Sequence, residues 1–263
     1  MIRSSIIVFL LISCCFLSGQ KIDTVPIIDL HIHLKGGFTI EDAVKRSKEE
    51  NIVYGIAVNC GKGFPIQRDE QIDSFINAMK SYPQFYLGMQ AEGREWTGMF
   101  SKEAVAKFDY VFSDAMTFTD AKGRRNRIWL KNETWIDDEE SFMDHYVNTI
   151  AGIIGSEPIN IYVNPTFLPE QMAGRYDHFW TEERMDKVIR AARKKHVAIE
   201  INNRYRIPSE HFIIKAKKAG VKFTIGTNNV DSNFSGAEYA IEMIKKCQLT
   251  GSDFYIPEKK NKQ

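Results

Sequence analysis

Short apolar runs alternate along the chain with stretches whose apolar residues recur every third or fourth position. The runs at 27–33, 53–58, 85–91, 110–112, 159–163, 197–201 and 221–225 read as buried strands. Between the first two, Ile40, Ala43, Val44 and Ser47 mark a helix. Thr39 is its N-cap, and Glu41 and Asp42 lie in the first turn, where the helix dipole favours negative charge. Ile72, Phe75, Ile76 and Met79 mark a second helix, closed by Pro83, and Ser101 caps a short one over 101–107. Phe142, Tyr146, Ile150, Ile153 and Ile154 trace a long helix, and Met185, Val188, Ile189 and Ala192 another. Pro208 and Ser209 open a helix that Gly220 ends, and Ala237, Ala240, Ile241 and Ile244 give the last. Two polar excursions, 117–137 and 167–180, interrupt the alternation.

Strand-then-helix units repeated in this way call for a parallel sheet, either open or closed into a barrel. Polar residues at the strand ends favour closure: His31, His33, Asn59, Glu92, Asp114, Asn164, Asn202 and Asn228. In a barrel these ends meet at one mouth, whereas an open sheet unites only those beside a switch point. No Gly-rich dinucleotide turn follows the first strand. The expected fold is α/β, a TIM-barrel-like closed sheet.

The first strand carries the sharpest chemistry. Strand alternation puts Asp29, His31 and His33 on one face, so the two imidazoles can chelate one divalent cation, with Asp29 orienting a ligating ring. Glu200, inside the sixth strand, reads as a general base or as the buried partner of Lys35 or Arg204. Lys35, Arg94, Arg204 and Arg206 each follow a strand end and suit a phosphate or carboxylate clamp. Asn59, Asn164, Asn202 and Asn228 offer neutral polar groups for substrate hydroxyls.

Composition narrows the partners. The 263 residues include 35 basic and 34 acidic side chains, a net charge of +1, which gives no field for nucleic acid or an anionic membrane. A small-molecule substrate is the expected partner. Arg3, the apolar stretch 6–12 and the small residues after it describe a secretory signal over 1–20. Leu11-Ile12-Ser13-Cys14 also matches a lipoprotein box with Cys14 as the lipid-bearing residue, so the expected location is periplasmic or membrane-anchored. Any membrane contact would be made through that segment alone. Cys60 and Cys247 are too few for a disulfide framework. One domain is expected over 21–257, followed by a disordered basic tail over 258–263.

Asp29-Leu30-His31-Ile32-His33, the seven β/α units, Gly88 with Glu92, and Gly226-Thr227-Asn228-Asn229 together resemble the polymerase and histidinol phosphatase (PHP) superfamily. The resemblance implies a distorted (β/α)7 barrel with up to three divalent metals at the strand ends and hydrolysis of phosphoesters. The chain departs from that pattern. Asn59 and Asn164 stand where histidines are usual, and after the seventh strand Gly226-Thr227-Asn228-Asn229-Val230-Asp231 stands where Gly-Ser-Asp-Ala-His is usual. Asp114 is the nearest candidate after the fourth strand. His31, His33, Glu92 and Asp114 then remain as ligands for one ion or two, with Zn²⁺, Mn²⁺ or Fe²⁺ suited to the set. The expected function is an exported metal-dependent hydrolase of a small anionic or sugar-like substrate. A non-catalytic sugar-binding protein and an amidohydrolase or lyase are the alternatives.

Overall fold

The computed structural model describes residues 21–22 and 25–260. The signal-type segment 1–20 lies outside them, as do residues 261–263 of the basic tail. Strands β1 (Ile28–Ile32), β2 (Val53–Cys60), β3 (Tyr86–Ala91), β4 (Tyr110–Ser113), β5 (Ile161–Tyr162), β6 (Ala198–Asn202) and β7 (Phe223–Gly226) pair in parallel in chain order, and β7 returns to β1 to close a seven-stranded barrel. Around it run α1 (Ile40–Glu50), α2 (Asp69–Met79), α3 (Lys102–Val105), α4 (Glu139–Ser156), α5 (Glu170–Ala173), α6 (Tyr176–Phe179), α7 (Glu182–Lys195), α8 (Glu210–Lys218) and α9 (Glu238–Lys246). The α/β, TIM-barrel-like architecture is the one expected.

Local chemistry explains the boundaries. Thr39 and Asp42 form a reciprocal capping box at α1, and Ser101, Asp138, Thr181 and Ser209 each accept a backbone N–H at the start of a helix. The first excursion folds as a hairpin, Thr117–Thr119 against Arg125–Arg127, and the second forms α5 and α6.

Two apolar layers hold the barrel. The larger lies between strands and helices, with Trp96, Tyr146, Phe179, Trp180 and Phe212 fully buried. The smaller fills the interior: Leu30, Ala57, Tyr110, Phe112, Ile161, Val163 and Ala198. Tyr110 crosses that interior over Gly88, where any Cβ would collide with its ring, and donates its hydroxyl to the Leu30 carbonyl at 2.7 Å. At the N-terminal end of the barrel Tyr255 adds to the interior layer, and its N–H donates to the Phe223 carbonyl at 2.9 Å. The expectation of a frayed tail is corrected in part, because Lys259 Nζ donates to the Pro83 carbonyl and Lys260 N–H to Asp109 at 2.7 Å. Cys60 and Cys247 are buried and unpaired.

Candidate metal centre

His31 and His33 lie at the C-terminal end of β1, 1% and 2% exposed, with ring centroids 5.1 Å apart in an edge-on arrangement. Phe112 of β4 packs against the His31 ring at 4.6 Å and floors the site. Each imidazole is held through Nδ1. His31 Nδ1 meets Glu200 Oε1 at 2.6 Å, and His33 Nδ1 meets the Ala57 carbonyl at 3.0 Å. Both partners are acceptors, so Nδ1 carries the proton and donates. The two Nε2 atoms are buried without any hydrogen-bond partner. Burial, with the charges of His31 and Lys35, drives the His33 pKa well below its usual value, so that ring is neutral at physiological pH. Two neighbouring imidazoles with unpartnered, buried Nε2 atoms and acceptors behind them are the arrangement a divalent cation requires.

The carboxylates point the same way. Glu92, just past β3, is raised to about 8, first by burial and then by the charge of Asp114, with Asn59 Nδ2 donating to it at 2.7 Å. Asp114, beyond β4, is also raised by burial and accepts from Asn164 Nδ2 at 2.9 Å. The charges of Arg94 and Lys35 offset the burial of Glu92 only in part, as that of Arg94 does for Asp114, and a metal ion would supply the remainder. Among the described residues no three His, Cys, Asp or Glu side chains already converge as a ligand set. The pair His31–His33 therefore fits one ion, and Glu92, Asp114 or solvent is left to complete its shell.

Asp29 does not orient an imidazole. Its carboxylate accepts from the backbone N–H of His31 at 3.0 Å and of Thr227 at 3.1 Å, and from the Thr227 hydroxyl, tying β1 to the turn after β7. Burial raises its pKa to about 6 against those donors. The orienting role expected of Asp29 falls to Glu200, which is also not paired with Lys35 or Arg204. Its Oε2 accepts from the Asn164 N–H at 2.8 Å and from Asn202 Nδ2 at 2.9 Å. Gly226 makes this possible, since a Cβ there would overlap Glu200 Oε1 and crowd the His31 Cβ.

The asparagines mainly face one another and the acids. Asn164 Oδ1 accepts from Asn202 at 3.0 Å and from Asn228 at 3.1 Å, while its Nδ2 serves Asp114. Asn164 and Asn228 both hold left-handed backbone, φ 50° and 52°, a conformation Asn tolerates better than most residues. Asn229 clasps the backbone of His33 on both sides, at 2.7 and 2.9 Å. It was not singled out in the sequence, and its only signal there is the Asn228-Asn229 doublet.

The basic residues divide. Arg94 turns both terminal nitrogens inward, to Glu157 at 2.7 Å, Ser113 at 2.9 Å and the Asp114 carbonyl at 3.1 Å, which leaves its buried Nε without a partner. Arg206 pairs with Glu242 at 2.7 Å and lies over Tyr239, away from the histidines. Lys35 and Arg204 stay near the mouth, where burial and then the Arg204 charge lower the Lys35 pKa. Among the described residues neither is held in an ion pair. Arg204 lies over the Tyr205 ring at 5.0 Å.

No family model and no curated protein matches the sequence. Among solved structures, a histidinol phosphate phosphatase from Lactococcus lactis, complexed with zinc, L-histidinol and phosphate, superposes with a TM-score of 0.58 at 15% identity, covering 88% of this chain and 99% of that one. A likeness at this identity establishes architecture. The chain has the barrel fold of that phosphatase.

Proposed function

We propose that the protein is a divalent-metal-dependent hydrolase of small phosphoesters. One observation carries the reading: the unpartnered, buried Nε2 pair of His31 and His33, each imidazole backed by an acceptor, beside the unpaired cations Lys35 and Arg204. The phosphatase with the same fold binds zinc and phosphate, which supports this choice. A divalent cation held by the histidines would polarise a phosphoryl oxygen and make water a competent nucleophile near neutral pH. Lys35 Nζ and the Arg204 guanidinium hold the anionic oxygens. Glu200 keeps the His31 ring in place.

The sugar-binding alternative has less behind it, because Asn164, Asn202 and Asn228 are bonded to each other and to the acids. Export is part of the proposal and rests on the pattern of residues 1–20.

The test is hydrolysis of a panel of phosphomonoesters by zinc- or manganese-loaded protein, beside Lys35→Ala and Arg204→Ala. Turnover with competitive inhibition by inorganic phosphate is expected, each substitution weakening that inhibition about tenfold or more. Turnover of sugar esters or amides but of no phosphomonoester would contradict it.

A further inference from the structure

Beside the mouth lies a cavity of about 550 Å³, bounded by the turns after β5 and β6 and by α5, α8 and α9. Its walls are mainly apolar and aromatic, with Phe167, Tyr176, Tyr205, Tyr239 and Met243 among them. Phe167 and Tyr205 meet edge to face at 4.7 Å. The Tyr176 hydroxyl is already committed, donating to Thr166 at 2.7 Å and accepting from the Ser209 N–H, and the Tyr239 hydroxyl donates to the Pro208 carbonyl at 2.6 Å. The charges cancel locally: Arg206 and Lys246 meet Glu242 at 2.7 and 2.8 Å, and Lys246 lies 3.9 Å from Glu210. No unpaired charge is left to bind, so the lining selects a neutral group with a flat apolar face.

The cavity shares its wall with the metal centre. The Tyr205 N–H donates to Asn202 Oδ1 at 2.9 Å, and the Phe167 N–H to the Asn164 carbonyl at 3.2 Å. Both asparagines belong to the network around Glu200 and Asp114, whose charges also reach the Tyr205 phenol. Tyr205 and Phe167 thus belong both to the cavity wall and to the hydrogen-bonded network of the metal centre.

We propose that this lateral cavity receives an uncharged, ring-bearing part of the substrate whose phosphate sits at the mouth. The inference rests on the phosphoester reading and narrows it to phosphomonoesters of alcohols carrying an apolar ring. It also assigns Arg206 to the edge of the leaving-group site.

The test compares 2-phenylethyl phosphate with ethyl phosphate, whose leaving oxygens are chemically alike, on metal-loaded protein. The ring is expected to raise kcat/KM about tenfold or more. Ala173→Phe, on the exposed face of α5, fills the cavity and is expected to abolish that preference, while Ala173→Ser keeps it. In parallel, saturation-transfer NMR with 2-phenylethanol reads the cavity without catalysis. Binding is expected in wild type, in Ala173→Ser and in His31→Ala, and its loss in Ala173→Phe. If neither phosphate is turned over but the alcohol binds in this pattern, the cavity stands and the phosphoester reading fails. Equal kcat/KM for the two phosphates, or alcohol binding that Ala173→Phe leaves intact, overturns the proposal.

Discussion

Glu200 shows how one carboxylate is made to serve the metal centre. Zero exposure, two amide donors on Oε2 and the His31 ring on Oε1 leave it no alternative geometry. Glu200→Ala would free that ring and lower zinc affinity about 10- to 100-fold, read by competition with a chromophoric chelator. Asp29→Asn, which acts on backbone rather than on an imidazole, should cost stability far more than zinc affinity; comparable losses of affinity in the two variants would contradict this division. At this scale the sequence was only half legible. His31 and His33 announce themselves by spacing within one strand. Which acid stands behind which ring depends on a contact across 169 positions, and alternation along β1 pointed to the nearer acid, Asp29. The asparagines were seen as candidates, but apart from the Asn202 contacts with Glu200 and Tyr205 their partners lie 33 to 64 positions away and exist only once the barrel has closed.

The elements are where the chain was most readable. Each of the seven apolar runs became a barrel strand, because fully buried parallel strands need near-continuous apolar sequence and the helix starts carry their own capping residues. Hidden from that pattern was the role of the glycines. Gly226 at the end of β7 looks like an ordinary turn residue, yet it gives Glu200 room to reach His31. Gly226→Ala is expected to destabilise the protein by about 1–3 kcal/mol in urea unfolding and to weaken zinc binding with it. Unchanged zinc affinity in that variant would show that Glu200 has another route to the ring. Tyr110→Phe, on β4, tests the interior layer. It strips the buried Leu30 carbonyl of the hydroxyl donor and should cost about 1–2 kcal/mol without touching the metal ligands.

Across the whole molecule, the buried acids govern how stability responds to pH. Burial raises Glu92 from 4.5 to about 8 and Asp29 from 3.8 to about 6, so between these limits the folded state binds more protons than the unfolded one. The stability they contribute is present at low pH and is lost as pH rises through the folded-state values. Metal-free protein should therefore melt several degrees lower at pH 8 than at pH 5. Glu92→Gln should flatten that slope. A rise in melting temperature over the same range would contradict the picture of incompletely compensated acids. Zinc at about 100 times its Kd should add ~2.7 kcal/mol, and at one fixed zinc concentration the rescue should be larger at pH 8, where protons no longer compete for the ligands.

The central claim is a metal centre on His31 and His33. Zinc content and zinc titration of purified protein, wild type beside His31→Ala/His33→Ala, test it most directly, with circular dichroism confirming that both are folded. The expected result is close to one zinc per chain in wild type and none retained by the folded double variant. Equal zinc in both proteins would place the metal elsewhere, and no zinc in wild type even after reloading would remove the hydrolytic mechanism.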